Sequence, residues 1–278
     1  MTFSILIPTW NNFNYLKLCI ESIEKNSIYL HQILVHVNEE TKDVVDFLIS
    51  KDIQFTSSSE NIGICKALNL ISQKATTDYI MYMNDDMYCL PNWDQYLVEE
   101  IKACNTPLFM FSSTMIEPKE SNNKAVIVAN FGDSIETFQE QKLTTEFASF
   151  KHNNWSGSSW PPNVVHKSMW EKLGGYNEYF SPGMSSDDDF CMRMWQHGCR
   201  LFKGIEKSRV YHFQCKSTGR IVKNDGRKQF KELYGISQNM FNTYYLKKGE
   251  PFIGLLREPR AINVGFWLKK IGLFLKSL

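Results

Sequence analysis

The sequence lacks the cysteine patterns of disulfide-stapled proteins and of zinc proteins. Its seven cysteines are an odd number, and no two of them form a CxxC pair. Small secreted domains carry even sets of cysteines, whereas zinc sites use closely spaced pairs. The cysteines therefore argue against both classes and favour a reducing compartment, so we expect a cytoplasmic protein.

Long apolar runs and an excess of one charge are also missing. No stretch approaches the roughly 20 apolar residues that a membrane-spanning helix requires. The net charge is +1, and no run of Lys or Arg is long enough to indicate a nucleic-acid surface. The opening residues, MTFSILIPTW, have no basic region, which favours a first strand over a signal peptide. We expect a soluble or peripheral protein with no nucleic-acid partner.

Two phosphate-binding glycine motifs are absent. No GxGxxG follows the first apolar segment, which argues against a dinucleotide-dependent oxidoreductase, and no P-loop motif occurs. The composition itself is that of a globular protein, with 278 residues, 43% of them hydrophobic and 22% charged. This length allows one large domain, or one domain with a small appendage.

Strand-like and helix-like segments alternate in the first part of the chain. Apolar runs predict strands at 3–7, 33–37, 53–55, 79–83 and 108–111. Helical periodicity predicts helices within 15–23, 44–48, 64–71 and 93–103. This alternation is typical of βαβ units, and it predicts an α/β fold whose mostly parallel, Rossmann-like sheet has helices on both faces.

The pattern changes after residue 113. Residues 114–150 are polar and weakly periodic, which suggests an excursion with short strands. Later segments predict strands at 164–165 and 209–211 and helices at 167–173, 189–197, 223–234 and 236–246. We divide the chain into a domain at 1–220 and a helical C-terminal extension at 221–278.

Two acidic clusters stand out. Asn84-Asp85-Asp86 ends a buried strand, where adjacent carboxylates repel each other unless a cation lies between them. Such oxygen ligands suit Mg²⁺ or Mn²⁺, and open α/β sheets bind ligands at strand ends. A solvated turn is the alternative. Asp187, Asp188 and Asp189 crowd the N-terminus of the predicted helix at 189–197, where ordinary capping is the alternative.

Together these motifs resemble family-2 glycosyltransferases of the GT-A fold, which include many bacterial polysaccharide and lipopolysaccharide sugar transferases. The resemblance covers roughly residues 3–215. Asn84-Asp85-Asp86 resembles the DXD motif, and Ser186-Asp187 lies where the family has Glu-Asp before the catalytic helix. The other matching segments, in the family's order, are SILIPTWN at 4–11, VNEETKD at 37–43, NIGICKALN at 61–69 and GGYNEYF at 174–180.

The resemblance implies a nucleotide-binding part at about 1–113 and an acceptor and catalytic part at about 114–220. Trp10 would stack on the base, which Glu39 would contact, although a core aromatic is the alternative for Trp10. Asp86 would bind Mn²⁺ or Mg²⁺. The residues implied for donor binding are Pro8, Thr9, Trp10, Asn11, Glu39, Asn61, Gly63, Lys66, Asn84 and Asp85.

The chemistry of sugar transfer adds further candidates. Charge builds on the leaving diphosphate, so His212 at a strand end is a candidate metal or phosphate ligand, with a structural role as the alternative. Lys216 is a second phosphate candidate. The resemblance implies Asp187 as the general base, with Asp188 in reserve. A single base opposite the leaving group predicts inversion.

These points predict an inverting, metal-dependent glycosyltransferase for cell-surface polysaccharide synthesis. It would move a sugar from a nucleotide-sugar donor, which we expect to be UDP-linked, to a hydroxyl of a glycan or lipid-linked saccharide. Trp155 and Trp160 would form an acceptor platform, or else pack beneath their loop. The alternatives are a sugar-nucleotidyltransferase, which begins with a basic Gly-rich loop where this chain has Pro8-Thr9-Trp10-Asn11, and a non-catalytic nucleotide-sugar-binding module.

The final segment, AINVGFWLKKIGLFLKSL at 261–278, mixes apolar residues with Lys269, Lys270 and Lys276. It is too short and too charged to span a bilayer. It fits an interfacial helix on an anionic leaflet, which would place the protein at the inner face of the cytoplasmic membrane. Docking on the protein's own core, or on a second copy in a homodimer, is the alternative.

Overall fold

One sheet organises the residues that the computed structural model describes, 1–121, 123–215 and 222–259. Ten strands of these described residues belong to it. They are β1 (Ser4–Trp10), β2 (Gln32–Asn38), β3 (Gln54–Ser58), β4 (Tyr79–Tyr82), β5 (Met87–Cys89), β6 (Phe109–Glu117), β7 (Val126–Val128), β8 (Trp155–Ser156), β9 (Asn163–His166) and β10 (Leu201–His212).

Helices connect these strands and follow the last of them. They are α1 (Phe13–Asn26), α2 (Lys42–Ser50), α3 (Gly63–Ser72), α4 (Trp93–Ala103), α5 (Glu140–Glu146), α6 (Lys167–Leu173), α7 (Ser186–Gln196), α8 (Gly226–Tyr234) and α9 (Gln238–Met240). A π-helix at Phe241–Tyr245 continues α9, and short 3-10 helices lie at Phe147–Ser149 and Glu178–Phe180.

The sheet has the order β3-β2-β1-β4-β9-β6-β10-β5, with β7 beside β6 and β8 beside β10. β1 pairs in parallel with β2 and β4, and β2 pairs in parallel with β3. β6 runs parallel to β7 and β10, whereas β5, β8 and β9 run antiparallel to their neighbours. The prediction of an α/β fold with a mostly parallel sheet is confirmed.

Helices cover both faces of the sheet because successive side chains of a strand point to opposite sides. Ile5 and Ile7 of β1 pack in the core with α1, α2 and α4, whereas Leu6 packs in the core with α3, α6 and α7. Each fully buried Leu or Ile contributes roughly 1.5–3 kcal/mol of hydrophobic free energy. The helices thereby hold the strand ends, and the polar residues that follow them, in fixed positions.

Strand β6 is longer than predicted. The sequence predicted its end at Phe111, where the apolar run stops. All nine residues of β6 are buried, and each hydroxyl has a partner. Ser112 bonds to Ser158, Ser113 to Ser208, and Thr114 donates to the Ile205 carbonyl. Hydrogen bonds that sequence periodicity does not reveal therefore carry β6 to Glu117.

Residues 222–259 share the core of the preceding chain. Phe230, Phe241 and Leu246 are fully buried in the same cluster as Phe190 of α7. The predicted helix at 236–246 consists of α9 and the π-helix. The tail at 261–278 and Lys216 lie outside the described residues. No helix within the described ranges has the length and apolar character needed to cross a membrane.

Candidate active site

A cavity of about 570 Å³ opens where β1, β4 and β10 end. Its walls come from segments far apart in the sequence, because the parallel strands end at the same edge of the sheet. Most of the predicted site residues line it, namely Pro8, Thr9, Trp10, Asn61, Gly63, Asn84, Asp85, Asp86, Trp160, Asp187 and His212.

The loop after β1 packs against the loop after β2. The Trp10 indole donates from Nε1 to Glu39 Oε2 at 2.8 Å, and Asn11 Nδ2 lies 3.3 Å from the same oxygen. Asn11 and Glu39 have positive φ angles of 48° and 54°, which turn the chain sharply at the strand ends. Glu39 thus fixes the orientation of Trp10, whereas Asn11 is exposed and does not contribute to the cavity wall.

The start of α3 joins this region to the loop that leads to Asp187. Gly63 has a φ of +77°, and a Cβ there would lie 2.7 Å from Pro182 Cα, so only glycine fits. Asn61 Oδ1 accepts the Gly63 amide at 2.9 Å, and the Ile64 amide donates to the Pro182 carbonyl at 2.8 Å. Lys66, one turn later, is exposed and lies outside the cavity wall.

Asp85 is held by side chains of the β1 and α1 region. It accepts from Thr9 Oγ1 at 2.6 Å and from Asn12 Nδ2 at 3.0 Å. Burial, together with the neighbouring charge of Asp86, raises the pKa of Asp85 to about 7, despite these two hydrogen bonds. The two adjacent carboxylates therefore repel each other in a weakly solvated place.

Asp86 faces the end of β10. Its Oδ2 accepts the Cys215 amide at 2.8 Å, and its Oδ1 lies 3.4 Å from His212 Nε2. Burial alone would raise the pKa of Asp86, but the charge and hydrogen bond of His212 outweigh it and lower that pKa. Asp86 is thus the anionic member of the pair.

A glutamate that the sequence did not identify completes this cluster. Glu117 Oε1 lies 2.9 Å from His212 Nδ1, and Glu117 Oε2 accepts from Gln214 Nε2 and Ser121 Oγ, both at 2.9 Å. Burial would lower the pKa of His212, but the Asp86 and Glu117 carboxylates raise it to about 10. Glu117 is the last residue of β6 and lies in a stretch with weak periodicity, so the sequence did not predict a strand there. The signal that could have identified Glu117 is a polar residue at the end of a buried strand.

The second acidic cluster lies in the first turn of α7, which begins at Ser186 rather than at the predicted residue 189. Asp187 lines the cavity and accepts the Tyr176 hydroxyl at 2.9 Å. Asp188 is buried behind the wall and accepts from Gln238 Nε2. Asp189 forms an ion pair with Arg193 at 2.8 Å and is therefore structural.

Asp187 has the electrostatics expected of a base. Its burial, reinforced by the charge of Asp188, raises its pKa to about 7, although the Tyr176 hydrogen bond and Lys248 oppose this shift. A carboxylate that titrates near neutral pH can accept a proton from a hydroxyl and release it again. Its position in the cavity and its pKa single out Asp187 among the three aspartates.

The two candidate tryptophans have different surroundings. Trp160 lines the cavity, and the Lys248 ammonium lies 3.2 Å from the centroid of its ring. Trp155 is 2% exposed and donates from Nε1 to Thr114 Oγ1 at 3.0 Å. Its ring fills the space beside Gly204, where a Cβ would lie 1.8 Å from it. Trp155 is therefore a packing residue and does not contact the cavity.

A mostly parallel sheet with helices on both faces, an acidic motif at a strand end and a carboxylate on a facing helix are the features expected of a glycosyltransferase with the GT-A fold. A family model described as "Glycosyl transferase family 2" matches residues 4–158. The chain belongs to this family, and the predicted family and GT-A fold are confirmed. The matched region includes Asp86 but ends before Asp187 and His212.

One curated relative is the chondroitin synthase of Escherichia coli. It is 20% identical over 240 residues, which are 75% of this chain and 34% of that protein. The chain therefore spans about a third of the length of this relative.

Several solved structures share the fold. Staphylococcus aureus TarS superimposes with a TM-score of 0.56 at 13% identity, covering 76% of this chain and 36% of TarS. TarS 1–349 in complex with UDP superimposes with a TM-score of 0.57 at 10% identity, covering 100% of this chain and 81% of that chain. The mannosyltransferase PcManGT from Pyrobaculum calidifontis, in complex with GDP-Man and Mn²⁺, superimposes with a TM-score of 0.53 at 14% identity. The match covers 77% of this chain and 57% of PcManGT. At these identities the similarity concerns the fold alone.

Proposed function

We propose that the chain is an inverting glycosyltransferase that moves a sugar from a UDP-linked donor to a hydroxyl of a glycan or lipid-linked saccharide. The observation that carries this proposal is that Asp86 and Asp187 line the same cavity. The S. aureus TarS complexes contain UDP and UDP-GlcNAc, which supports a UDP-linked donor. A role in cell-surface polysaccharide synthesis is part of the proposal.

The donor would lie along the strand ends. Trp10, oriented by Glu39, offers an aromatic face to a base, and the Asn61–Gly63 turn brings backbone close to the same wall. Glycine at 63 allows this turn to pack against Pro182, because a Cβ there would lie 2.7 Å from Pro182 Cα. Lys66 and Asn11 remain candidates for donor contact only from outside the wall, since neither lines the cavity.

A divalent cation fits the residues around Asp86. Burial, together with the charge of Asp86, raises the pKa of Asp85 to about 7, and a bound cation would favour the ionised form of both carboxylates. Within the described ranges, no group of three or more His, Cys, Asp or Glu side chains is arranged to hold a metal. Asp86, together with His212 once cation binding has displaced its proton, would therefore share Mn²⁺ or Mg²⁺ with the donor phosphates. When bound, the cation would stabilise negative charge on the leaving diphosphate.

Asp187 would act on the acceptor. Tyr176 holds one of its oxygens, so the carboxylate has a fixed orientation when a hydroxyl approaches. Removing the proton during attack increases the nucleophilicity of that hydroxyl. With one base and no enzyme-bound intermediate, the anomeric centre inverts. Trp160 would form an apolar wall for the acceptor sugar.

A donor panel tests the proposal. The full chain is incubated with Mn²⁺ and UDP- or GDP-linked sugars, starting with UDP-GlcNAc, and released nucleoside diphosphate is measured with and without saccharide acceptors. UDP release that an acceptor accelerates, with an inverted anomer by NMR, is the expected result. Pyrophosphate release from UTP and a sugar phosphate would instead indicate a nucleotidyltransferase. Donor binding without release of UDP would indicate a non-catalytic binding module.

The location of the protein is also proposed. We propose a cytoplasmic enzyme whose segment 261–278 contacts the inner face of the membrane, where a lipid-linked acceptor would be found. Contact of this segment with the protein's own core or with a second copy is the competing arrangement. The division into a transferase domain at 1–220 and an extension at 221–278 remains a proposal.

A further inference from the structure

A lysine lies behind the wall of the cavity. The Lys248 ammonium is buried, and in the described part of the chain no hydrogen-bond acceptor contacts it. Its nitrogen lies 3.2 Å from the centroid of the Trp160 ring, whose indole lines the cavity. A buried ammonium is costly unless nearby negative charge or an aromatic face compensates it. The Trp160 ring supplies such an aromatic face to the Lys248 ammonium.

The backbone fixes this position. The segment that carries Lys248 runs beside β8, with the Ser156 amide donating to the Glu250 carbonyl at 2.8 Å. The Gly249 amide returns a bond to the Ser156 carbonyl at 3.0 Å. Gly157 has a φ of +80°, and a Cβ there would lie 2.7 Å from Lys248 Cα. Only a glycine at 157 allows the backbone of Lys248 to lie so close to it. The backbone therefore holds Lys248 in this position.

Negative charge faces the ammonium from α7. Asp188 Oδ1 is buried and, within the described residues, has no hydrogen-bond partner. Burial lowers the pKa of Lys248, while the charges of Asp188 and Asp187 oppose that shift. Among the described residues, the buried Lys248 cation has no acceptor and the buried Asp188 oxygen has no donor, and the two charges act on each other. Their mutual attraction offsets only part of the cost of burying both, because the net shift still lowers the pKa of Lys248.

We propose that Lys248 is a positioning residue for sugar transfer: it holds Trp160 and Asp188 in place beside Asp187 and thereby aligns the acceptor with the base. The inference rests on the proposed role of Asp187. Lys248 does not line the cavity, so it acts through its neighbours and does not touch the donor. The C-terminal residues would accordingly be part of the transfer machinery.

The charge of Lys248 has a consequence for Asp187. Burial raises the pKa values of the other titratable groups near this carboxylate, which keeps them neutral near pH 7; they are Cys65, Tyr82, Tyr176 and Cys191. The charge of Asp188 raises the pKa of Asp187, and the charge of Lys248 lowers it. Loss of the lysine charge leaves Asp188 unopposed and disfavours the ionised form of Asp187.

Two variants and one control test the proposal. Lys248→Met keeps the length of the side chain and removes its charge, whereas Lys248→Arg keeps the charge. Lys247→Met, at the exposed neighbouring position, is the matched control. The readout is UDP release across pH 5–9, with Mn²⁺, the active donor of the panel and either its acceptor or water. UDP affinity and the melting temperature are measured alongside.

Lys248→Met is expected to lower kcat by about 10–100-fold, the usual effect of a misaligned reactant, with the acidic limb of the profile moved to higher pH. UDP affinity should change less than about twofold, because Lys248 lies outside the donor wall. Lys248→Arg should keep the wild-type pH limb and recover part of the rate. Lys247→Met should match the wild type in every measurement.

A lower melting temperature with an unmoved pH limb and an unchanged kcat would overturn the proposal, and so would failure of both Lys248 variants to fold. Asp187→Asn is assayed in parallel. If wild-type protein transfers no sugar, or Asp187→Asn is fully active, the proposed function fails independently of Lys248.

Discussion

His212 and Glu117 are joined by a contact of 2.9 Å between Nδ1 and Oε1, although 95 positions separate them in the chain. The carboxylate holds one ring nitrogen, so the other nitrogen, Nε2, is directed at Asp86, 3.4 Å away. A histidine held in this way by a carboxylate is a typical partner for a metal ion. Glu117 is thus the residue that orients His212 toward the proposed cation.

Glu117→Gln tests this orientation. The amide can no longer accept from His212, Gln214 and Ser121 with a full negative charge. We expect the affinity for Mn²⁺ in the presence of UDP to fall about 10–100-fold, as for other residues that orient metal ligands. Titration followed by Mn²⁺ EPR measures the change. Glu120→Gln, at an exposed position nearby, is the control, and unchanged Mn²⁺ binding by Glu117→Gln would contradict the assignment.

Asp86→Ala should abolish transfer and remove the part of donor affinity that depends on Mn²⁺. The reason is that Asp86 is the anionic member of the acidic pair and the proposed metal ligand. UDP binding with and without Mn²⁺, measured by calorimetry, gives the metal-dependent part. Asp43→Ala, on the exposed surface of α2, serves as the control. Full activity of Asp86→Ala, or of wild-type protein in EDTA, would refute a metal role.

Asp187→Asn preserves the shape of the side chain and removes its ability to accept a proton. Turnover should fall by about 10²–10⁴-fold, the usual contribution of a general base. Donor affinity should change little, because the Tyr176 hydroxyl can still donate to the amide oxygen. Steady-state kinetics of UDP release measure both quantities. If Asp188→Asn is inactive and Asp187→Asn resembles the wild type, the reserve residue is the base.

The same substitution should stabilise the fold at alkaline pH. The pKa of Asp187 is raised to about 7, so the folded state holds its proton more tightly than the unfolded chain does. Ionised Asp187 therefore costs stability, and this cost grows as pH rises from about 4 to about 7. At pH 8, the free energy of unfolding of Asp187→Asn should exceed that of the wild type by roughly 1–4 kcal/mol, and its melting temperature should be higher. Near pH 4 the two proteins should have similar stability. Circular dichroism at several pH values measures this; a lower melting temperature at pH 8 would contradict it.

The sequence predicts those helices, strands and acidic motifs that depend on local residue patterns. Helix α4 begins at Trp93 and ends at Ala103 as expected, because its apolar residues recur at helical spacing on one face. The first four parallel strands were predicted for a similar reason, since each is a short apolar run between polar residues. Asn84-Asp85-Asp86 and Asp187 were found because polar residues break these patterns at strand and helix ends.

Local patterns do not reveal contacts between residues that are far apart in the sequence. Strand β5 has three residues and directly follows two aspartates, so only its antiparallel pairing with β10 identifies it. Glu117 and Lys248 look like ordinary polar residues until the fold places them beside His212 and Trp160. Trp155 and Trp160 share a Gly/Ser-rich segment, yet one is buried in the core and the other lines the cavity.

The segment 261–278 supplies the last prediction, which concerns membrane binding. Its lysines at 269, 270 and 276 accompany a broad set of apolar residues that include Phe266 and Trp267. Each lysine near an anionic surface adds about 1 kcal/mol of attraction, which salt screens. Truncation after Arg260 should therefore abolish binding to vesicles that contain anionic lipid, slow transfer to a lipid-linked acceptor and leave donor hydrolysis intact.

Co-sedimentation of full-length and truncated protein with anionic and with neutral vesicles, at low and high salt, separates the arrangements. Binding of the full chain to anionic vesicles alone, weakened by salt, is the result expected of an interfacial segment. Equal vesicle binding by both proteins would eliminate the membrane role. A lower melting temperature of the truncated protein without any vesicle binding would indicate docking on the core. A change from dimer to monomer by analytical ultracentrifugation would indicate instead that the segment binds a second copy of the chain.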